Sequence, residues 1–135
     1  MSYSFLLIRF VDGEVAPMDR ERFREVAGPY AVGGWPADGE GAVDLRAEDG
    51  GAADVYFSAA PGDLEFVTFT HLQFGAMVDV FARLAEALGA AIVPQDGRAL
   101  IFHEDRRRHL PAVLRQEARV VAPTGPAVSA GLEED

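Results

Sequence analysis

The 135-residue sequence contains no cysteine and no lysine; all twelve of its basic residues are arginine. The absence of cysteine excludes disulfide bonds, a thiolate nucleophile and cysteine-ligated zinc or iron–sulfur centres. The absence of lysine excludes lysine Schiff-base chemistry and the phosphate-binding lysine of the P-loop. No apolar run approaches the ~20 residues of a membrane-spanning helix. Since the first residues also lack the basic region of a signal peptide, we expect a cytoplasmic protein with no membrane partner.

Acidic residues dominate the charge, which is -10 at neutral pH. The segment 37–65 carries eight acids and one base, Arg46, so most of the excess charge is local. A protein of this charge is a poor candidate for binding nucleic acid, because contact with phosphates needs a cationic surface. The run Arg106-Arg107-Arg108 is too short to change that expectation. The acidic segment is therefore either a solvated face that keeps the protein soluble or a docking surface for a basic protein partner.

Hydrophobic periodicity predicts an α+β fold, with helices packed on a mostly antiparallel sheet in the order β-α-β-β-β-α-β-β-α. The apolar positions of the longest helix recur along one helical face: Met77, Val80, Phe81, Leu84 and Leu88. A last helix is predicted from Pro111 to about Arg119. The apolar pattern then fades, so we predict a single domain over residues 1–122 and a flexible C-terminal tail over 123–135.

A partner-binding surface is predicted on the acidic segment and the loop before it. Its candidate residues are one tryptophan and six carboxylates: Trp35, Asp38, Glu40, Asp44, Glu48, Asp49 and Asp54. A tryptophan in a loop rich in glycine and proline is suited to anchoring an interface, and equally to closing the end of a hydrophobic core. Both interpretations of Trp35 stay open from the sequence.

A histidine ends the most regular of the predicted strands, in the run Thr68-Phe69-Thr70-His71. Strand ends beside helix starts are frequent site positions, and histidine titrates near neutral pH. Because side chains alternate along a strand, the two threonines should lie on the face opposite His71. Tyr56 and His71 are the candidates for lining a ligand pocket. The alternative is a structural, hydrogen-bonded histidine, since nothing supplies a matched nucleophile or base.

A second group of potential ligands, His103-Glu104-Asp105 and His109, lies beside the three adjacent arginines. Imidazole and carboxylate bind metal ions, but the spacing matches no zinc signature and the arginines would repel a cation. A solvated junction between strand and helix is the predicted role of this group. The chain also has no dinucleotide fingerprint and no nucleophile elbow. We therefore predict no catalytic residue set, no metal site and no cofactor.

The order of these motifs resembles a group of small, uncharacterised actinobacterial α/β proteins. The resemblance extends from Met1 to about Arg119 and rests on short motifs: Met1-Ser2-Tyr3, Asp12-Gly13, Asp54-Val55-Tyr56, Thr70-His71, Glu104-Asp105 and His109-Leu110-Pro111. It implies no catalytic residues. In size, charge and architecture the chain is also similar to some bacterial immunity proteins, and that similarity implies binding to a protein toxin.

Three functions follow from the sequence. The first is a non-enzymatic binding protein whose acidic segment docks a basic partner, such as a toxin. The second is a small enzyme or ligand-binding domain with a pocket near Tyr56 and His71. The third is a structural or self-associating domain, such as a homo-oligomer, which an exposed edge strand would favour.

Overall fold

The computed structural model describes residues 4–37, 41–58, 62–95 and 98–133 and confirms the α+β fold class. In that part of the chain eight strands form one sheet: β1 (Ser4–Val11), β2 (Glu14–Ala16), β3 (Ala42–Arg46), β4 (Ala52–Phe57), β5 (Val67–Thr70), β6 (Ala91–Pro94), β7 (Leu100–Ile101) and β8 (Arg119–Val120). Four α-helices accompany them: α1 (Arg20–Ala27), α2 (Ala76–Ala87), α3 (Ala112–Arg115) and α4 (Gly125–Glu133). Two short 3-10 helices span Gly28–Tyr30 and Glu104–His109.

Strand β1 lies in the middle of the sheet, whose order is β3-β4-β5-β1-β6-β7-β8, with β2 forming a hairpin on β1. It pairs antiparallel with both β5 and β6, and only the last pair, β7 with β8, is parallel among the described strands. The alternation of β1 directs Phe5 and Leu7 to one face, where both are buried. We call this side, which α1, α2 and α4 cover, the inner face of the sheet.

Helix α2 supplies the centre of the core on the inner face. All five apolar positions predicted from its periodicity are buried. The ring of Phe81 lies 4.7 Å from that of Phe69 and 5.8 Å from that of Phe5, measured between centroids, so it contacts two neighbouring strands. Gly89 follows the helix with a φ of 66°, a left-handed conformation that glycine adopts without steric cost, and the chain turns there into β6. Helices α1 and α4 pack against α2.

A second hydrophobic cluster lies on the outer face of the sheet, at its β6–β7 end. Its buried members come from β1, β6 and β7, from the residue before β7 and from the segment that follows it: Phe10, Ala91, Ala99, Ile101, Leu110 and Ala118. The register explains the division, because Ile92 pairs with Leu100 on the inner face while their neighbours point outward. Residues 104–118 therefore form a lid over one half of the outer face.

The final helix predicted from Pro111 to Arg119 is shorter in the structure. The 3-10 helix Glu104–His109 comes first, α3 spans only Ala112–Arg115, and the chain then extends into β8. The Arg119 N–H donates to the carbonyl of Ala99 and the Val121 N–H to that of Ile101. The end of the predicted helix is thus replaced by a strand that pairs with β7. Hydrogen bonds between these distant segments cannot be predicted from local periodicity.

The packed domain extends beyond residue 122, because the segment predicted as a flexible tail contains α4. Val128 is fully buried against the core. The first turn of α4 is capped from two sides: Asp79 on α2 accepts from the Gly125 N–H at 2.8 Å, and the Thr124 hydroxyl accepts from the Ala127 N–H. Val128 and the partly buried Leu132 pack on the core, and a cap from a distant helix stabilises the first turn of α4. The cap leaves no periodic signal in the sequence.

We expect Val128→Ala to destabilise the protein by about 1–3 kcal/mol, because it removes buried methyl groups and leaves a cavity. Val113→Ala is the matched control: the same atoms are removed from a side chain that is 85% exposed. Urea unfolding followed by circular dichroism measures both. Equal effects of the two substitutions would show that α4 does not pack as described.

Candidate functional site

The strands β3, β4 and β5 present a row of polar side chains on the half of the outer face that residues 104–118 do not cover. Alternation along each strand places them together: Asp44, Asp54, Tyr56, Thr68 and Thr70. With His71, which follows β5, we call them the β3–β5 face. Val43, Leu45, Val55 and Phe57 occupy the intervening positions and are buried on the inner face.

Two carboxylates of the β3–β5 face lie directly opposite each other. Asp44 pairs with Asp54 in the antiparallel register of β3 and β4. The Asp44 carbonyl accepts from the Val32 N–H on the other side of β3, so the aspartate pair is one of the positions without hydrogen bonds between the two strands. At such positions the side chains are closest, at a Cα separation of about 4.5 Å. Arg46 lies two residues along the same strand and makes no ion pair with Asp44 among the described residues.

His71 lies next to Asp54, with its Nδ1 2.7 Å from the carboxylate Oδ2. Since an ionised carboxylate only accepts hydrogen bonds, the ring N–H donates. The Thr70 hydroxyl is 3.4 Å from the same nitrogen. His71 has a φ of 53°, and this left-handed conformation ends the alternation of β5. The prediction that Thr70 and His71 lie on opposite faces is therefore wrong, because it assumed that β5 stays extended through His71.

Tyr56 lies on the same face, two residues from Asp54, and is 46% exposed. Its cross-strand neighbours are Thr68 on β5 and Ala42 on β3. The residues predicted for a pocket, Tyr56 and His71, thus join two of those predicted for partner binding, Asp44 and Asp54. These residues form an open, polar surface on the sheet. A cleft beside this surface is lined by Asp44, by its neighbours Ala42 and Val43 and by residues 32–36. Two further clefts in the described parts of the chain are lined by residues outside the β3–β5 face.

Trp35 is partly buried: it packs against the edge of the core and also lines the cleft beside Asp44. Its ring lies 5.3 Å from Phe23 of α1 in an edge-on contact and stacks at 6.0 Å on Phe57 of β4. The two phenylalanines contact each other as well, at 5.0 Å. These contacts fit the closing of the core end, and the role of Trp35 as an interface anchor stays a prediction.

Asp49 is a structural residue that links the β3–β4 hairpin to the start of α2. Its carboxylate accepts from the Gly51 N–H at 2.9 Å and from the Ala76 N–H at 3.1 Å. Gly75, which precedes the helix, has a φ of 130°, and a Cβ atom there would lie only 2.7 Å from Asp49 Oδ2. The bonds from Ala76 and then Gly51 hold the pKa of the Asp49 carboxyl below its ordinary value. Both carboxylate oxygens face the scaffold.

The remaining predicted acids contribute less to the site. Glu48 is exposed in the turn of the β3–β4 hairpin and lies beside Asp49. Asp38 and Glu40 lie outside the described residues. Of the acidic segment, Asp44 and Asp54 are thus the pair that the sheet brings together on one open face.

Arg106, Arg107 and His109 organise the lid and tie it to the rest of the fold. Arg107 forms a two-pronged ion pair with Glu104, at 2.7 and 3.1 Å, and also donates to the Arg115 carbonyl. This contact lowers the pKa of Glu104 and raises that of Arg107. His109 Nδ1 accepts from the Asp12 N–H at 3.2 Å, which ties the lid to the β1–β2 turn.

Arg106 has a role that the sequence did not indicate. Its Nη2 donates to the carbonyls of Phe10 and Gly89, beside a small apolar cavity. His103 lines the same cavity. The residues that build this cavity come from four separate parts of the chain, so no local motif could have predicted it.

Comparisons with protein-family models, with curated proteins and with solved structures find no significant match to this chain. In the described residues, no helix combines the length and the apolar character needed to cross a bilayer. No group of three His, Asp or Glu side chains among them is arranged to hold a metal ion.

We expect Asp49→Asn to lower the thermal midpoint at neutral pH, because an amide can offer only one acceptor oxygen to the two N–H donors. Folding lowers the pKa of Asp49, so its contribution is present above the unfolded-state pKa of about 3.9 and is lost as pH falls through the folded-state pKa. The difference between variant and wild type should therefore shrink in acid. Asp63→Asn, which removes an exposed charge, is the control. An equal effect of both variants at neutral pH would contradict the structural role of Asp49.

Proposed function

We propose that this protein is a non-enzymatic binding domain whose β3–β5 face docks a basic segment of a protein partner. The observation that carries the proposal is the direct opposition of Asp44 and Asp54 on an open sheet face. Like charges at directly opposed positions destabilise a sheet, and many residues would fit an exposed strand better. Departures from such local rules are expected at functional sites.

A partner arginine is the group that complements this face best. A guanidinium can donate to carboxylates with well-defined geometry and can also pack over the ring of Tyr56. Tyrosine is common among the residues that dominate binding energy at interfaces. His71 already occupies Asp54 as a hydrogen-bond partner, at 2.7 Å, which leaves Asp44 as the carboxylate with more to gain from a partner cation.

The charge of the whole chain supports the same proposal. An excess of ten negative charges would speed the approach of a basic partner and make association sensitive to salt. The similarity to immunity proteins in size, charge and architecture adds a specific form of the proposal, in which the partner is a basic toxin and the complex forms in the cytoplasm.

Self-association through an exposed edge strand has less support. At one end of the sheet, residues 31–32 cover part of β3. Ala31 forms a β-bridge with Leu45, and the Val32 N–H donates to the Asp44 carbonyl. At the other end, β8 has only two residues. Short or covered edges are the usual protection against pairing between chains.

We expect Asp44→Asn to stabilise the free protein by about 0.2–1 kcal/mol, because it removes the repulsion between opposed carboxylates. Asp63→Asn removes the same charge from a loop position and controls for the reduced net charge. Thermal unfolding at low ionic strength measures both. A destabilised Asp44→Asn variant would show that the opposed pair carries no repulsion for a partner to relieve.

The binding proposal is tested with a synthetic arginine-rich peptide titrated into the ¹⁵N-labelled protein. Amide shifts should concentrate on β3, β4 and β5, and raising the ionic strength should weaken the affinity. Asp44→Asn should weaken it severalfold and more than Asp63→Asn does. If the shifts spread over all acidic surfaces, or if the two variants weaken binding equally, attraction by net charge explains the result and the proposed face is wrong.

A further inference from the structure

A small cavity of about 70 Å³ lies where the end of α2, the sheet and the lid meet. Its wall is mostly apolar and comes from β1, from the start of β6, from the residues around β7 and from the lid: Phe10, Ala90, Ala91, Ile101, Phe102 and Leu110. This place is the seam between the inner and the outer hydrophobic clusters, to which Ala90 and Ala91 respectively belong. The cavity shares no residue with the β3–β5 face.

The cavity exists because small residues stand at its wall. Gly89, Ala90 and Ala91 follow one another where the chain passes from α2 into β6. Protein interiors are otherwise close-packed, and a void of this size reduces stability. A valine at position 91 would suit a strand and fill the space. The sequence thus retains an apolar space that a single larger side chain would remove.

The mouth of the cavity carries both hydrogen-bond donors and a carboxylate. Arg106 is fixed there, since its Nη2 donates to the carbonyls of Phe10 at 3.1 Å and Gly89 at 3.4 Å. Within the described residues no carboxylate pairs with Arg106, so its charge has no anionic partner. His103 is a second potential donor, and Glu86 on α2 supplies one carboxylate. Both of these side chains are exposed.

We propose that this cavity binds a small aliphatic amino acid. Its branched side chain would occupy the apolar space, which is far smaller than the ~300–1,000 Å³ of pockets for larger ligands. Its carboxylate would accept hydrogen bonds from Arg106 and His103, and its ammonium group would donate to Glu86. A zwitterion complements this mouth better than a simple anion or cation. An anion would leave Glu86 without a cationic partner, and a cation would leave Arg106 without an anionic one.

The test compares L-valine with three compounds that each lack one of its groups. Isovalerate lacks the ammonium group, isobutylamine lacks the carboxylate, and glycine lacks the side chain. Titration into the full-length protein is followed by ¹³C methyl shifts of Ile101 and Leu110, which line the cavity. Valine should shift the methyl signals of both residues in a saturable manner. Each of the other compounds should bind at least about tenfold more weakly.

Two variants make the assignment specific. Ala91→Val should fill the cavity, abolish the valine-dependent shifts and raise the thermal midpoint of the free protein. Glu86→Gln should weaken binding of valine and leave that of isovalerate unchanged or stronger, while Glu65→Gln, which removes the same charge elsewhere, should alter neither.

Three results would overturn the inference. The first is that valine shifts no methyl group at the cavity. The second is that Ala91→Val leaves valine binding intact, which would place the ligand elsewhere. The third is that isovalerate or isobutylamine binds as tightly as valine, which would make the site one for simple anions or cations.

Discussion

The burial of α2 on the inner face of the sheet is the interaction on which the rest of the structure depends. Phe81 contacts Phe5 of the central strand and Phe69 of its neighbour, and all three rings are buried. Each fully buried aromatic or aliphatic side chain contributes roughly 1.5–3 kcal/mol, so this layer defines which side of every strand faces inward. Helices α1 and α4 then pack on α2. Because α2 covers one face, every functional surface of the sheet must come from the other.

The outer face is divided between packing and exposure. Over β6 and β7 it is covered by residues 104–118, which Arg107, Arg106 and His109 hold through bonds to Glu104 and to backbone groups. Over β3, β4 and β5 it stays open and carries opposed carboxylates, a half-exposed tyrosine and a histidine. The arginines that look like a basic patch in the sequence are thus largely engaged within the protein. The carboxylates that look like one acidic segment divide into a scaffold residue, Asp49, and the opposed pair on the open face.

Much of the fold could be predicted because its signals are local. The apolar spacing of α2 indicates its buried face directly, and the alternation of Val43, Asp44 and Leu45 indicates which side of β3 is exposed. The membership of Asp44, Asp54, Tyr56 and His71 in candidate sites was also predicted, although as two separate sites. Their union could not be predicted, because it depends on the register between β3 and β4 and on the left-handed conformation of His71. Asp49 was assigned to the surface because its partner, the Ala76 N–H, is 27 residues away.

The sequence by itself determined the α+β class, the buried face of the main helix, the net negative charge and the absence of cysteine and lysine chemistry. Periodicity, composition and charge are properties that each segment carries independently of its neighbours. The tertiary structure alone decided that α4 packs through Val128, that Trp35 closes the core against Phe23 and Phe57, and that Arg106 borders an apolar cavity. Each of these is a contact between distant segments, and its free energy appears only when burial of the shared core brings those segments together.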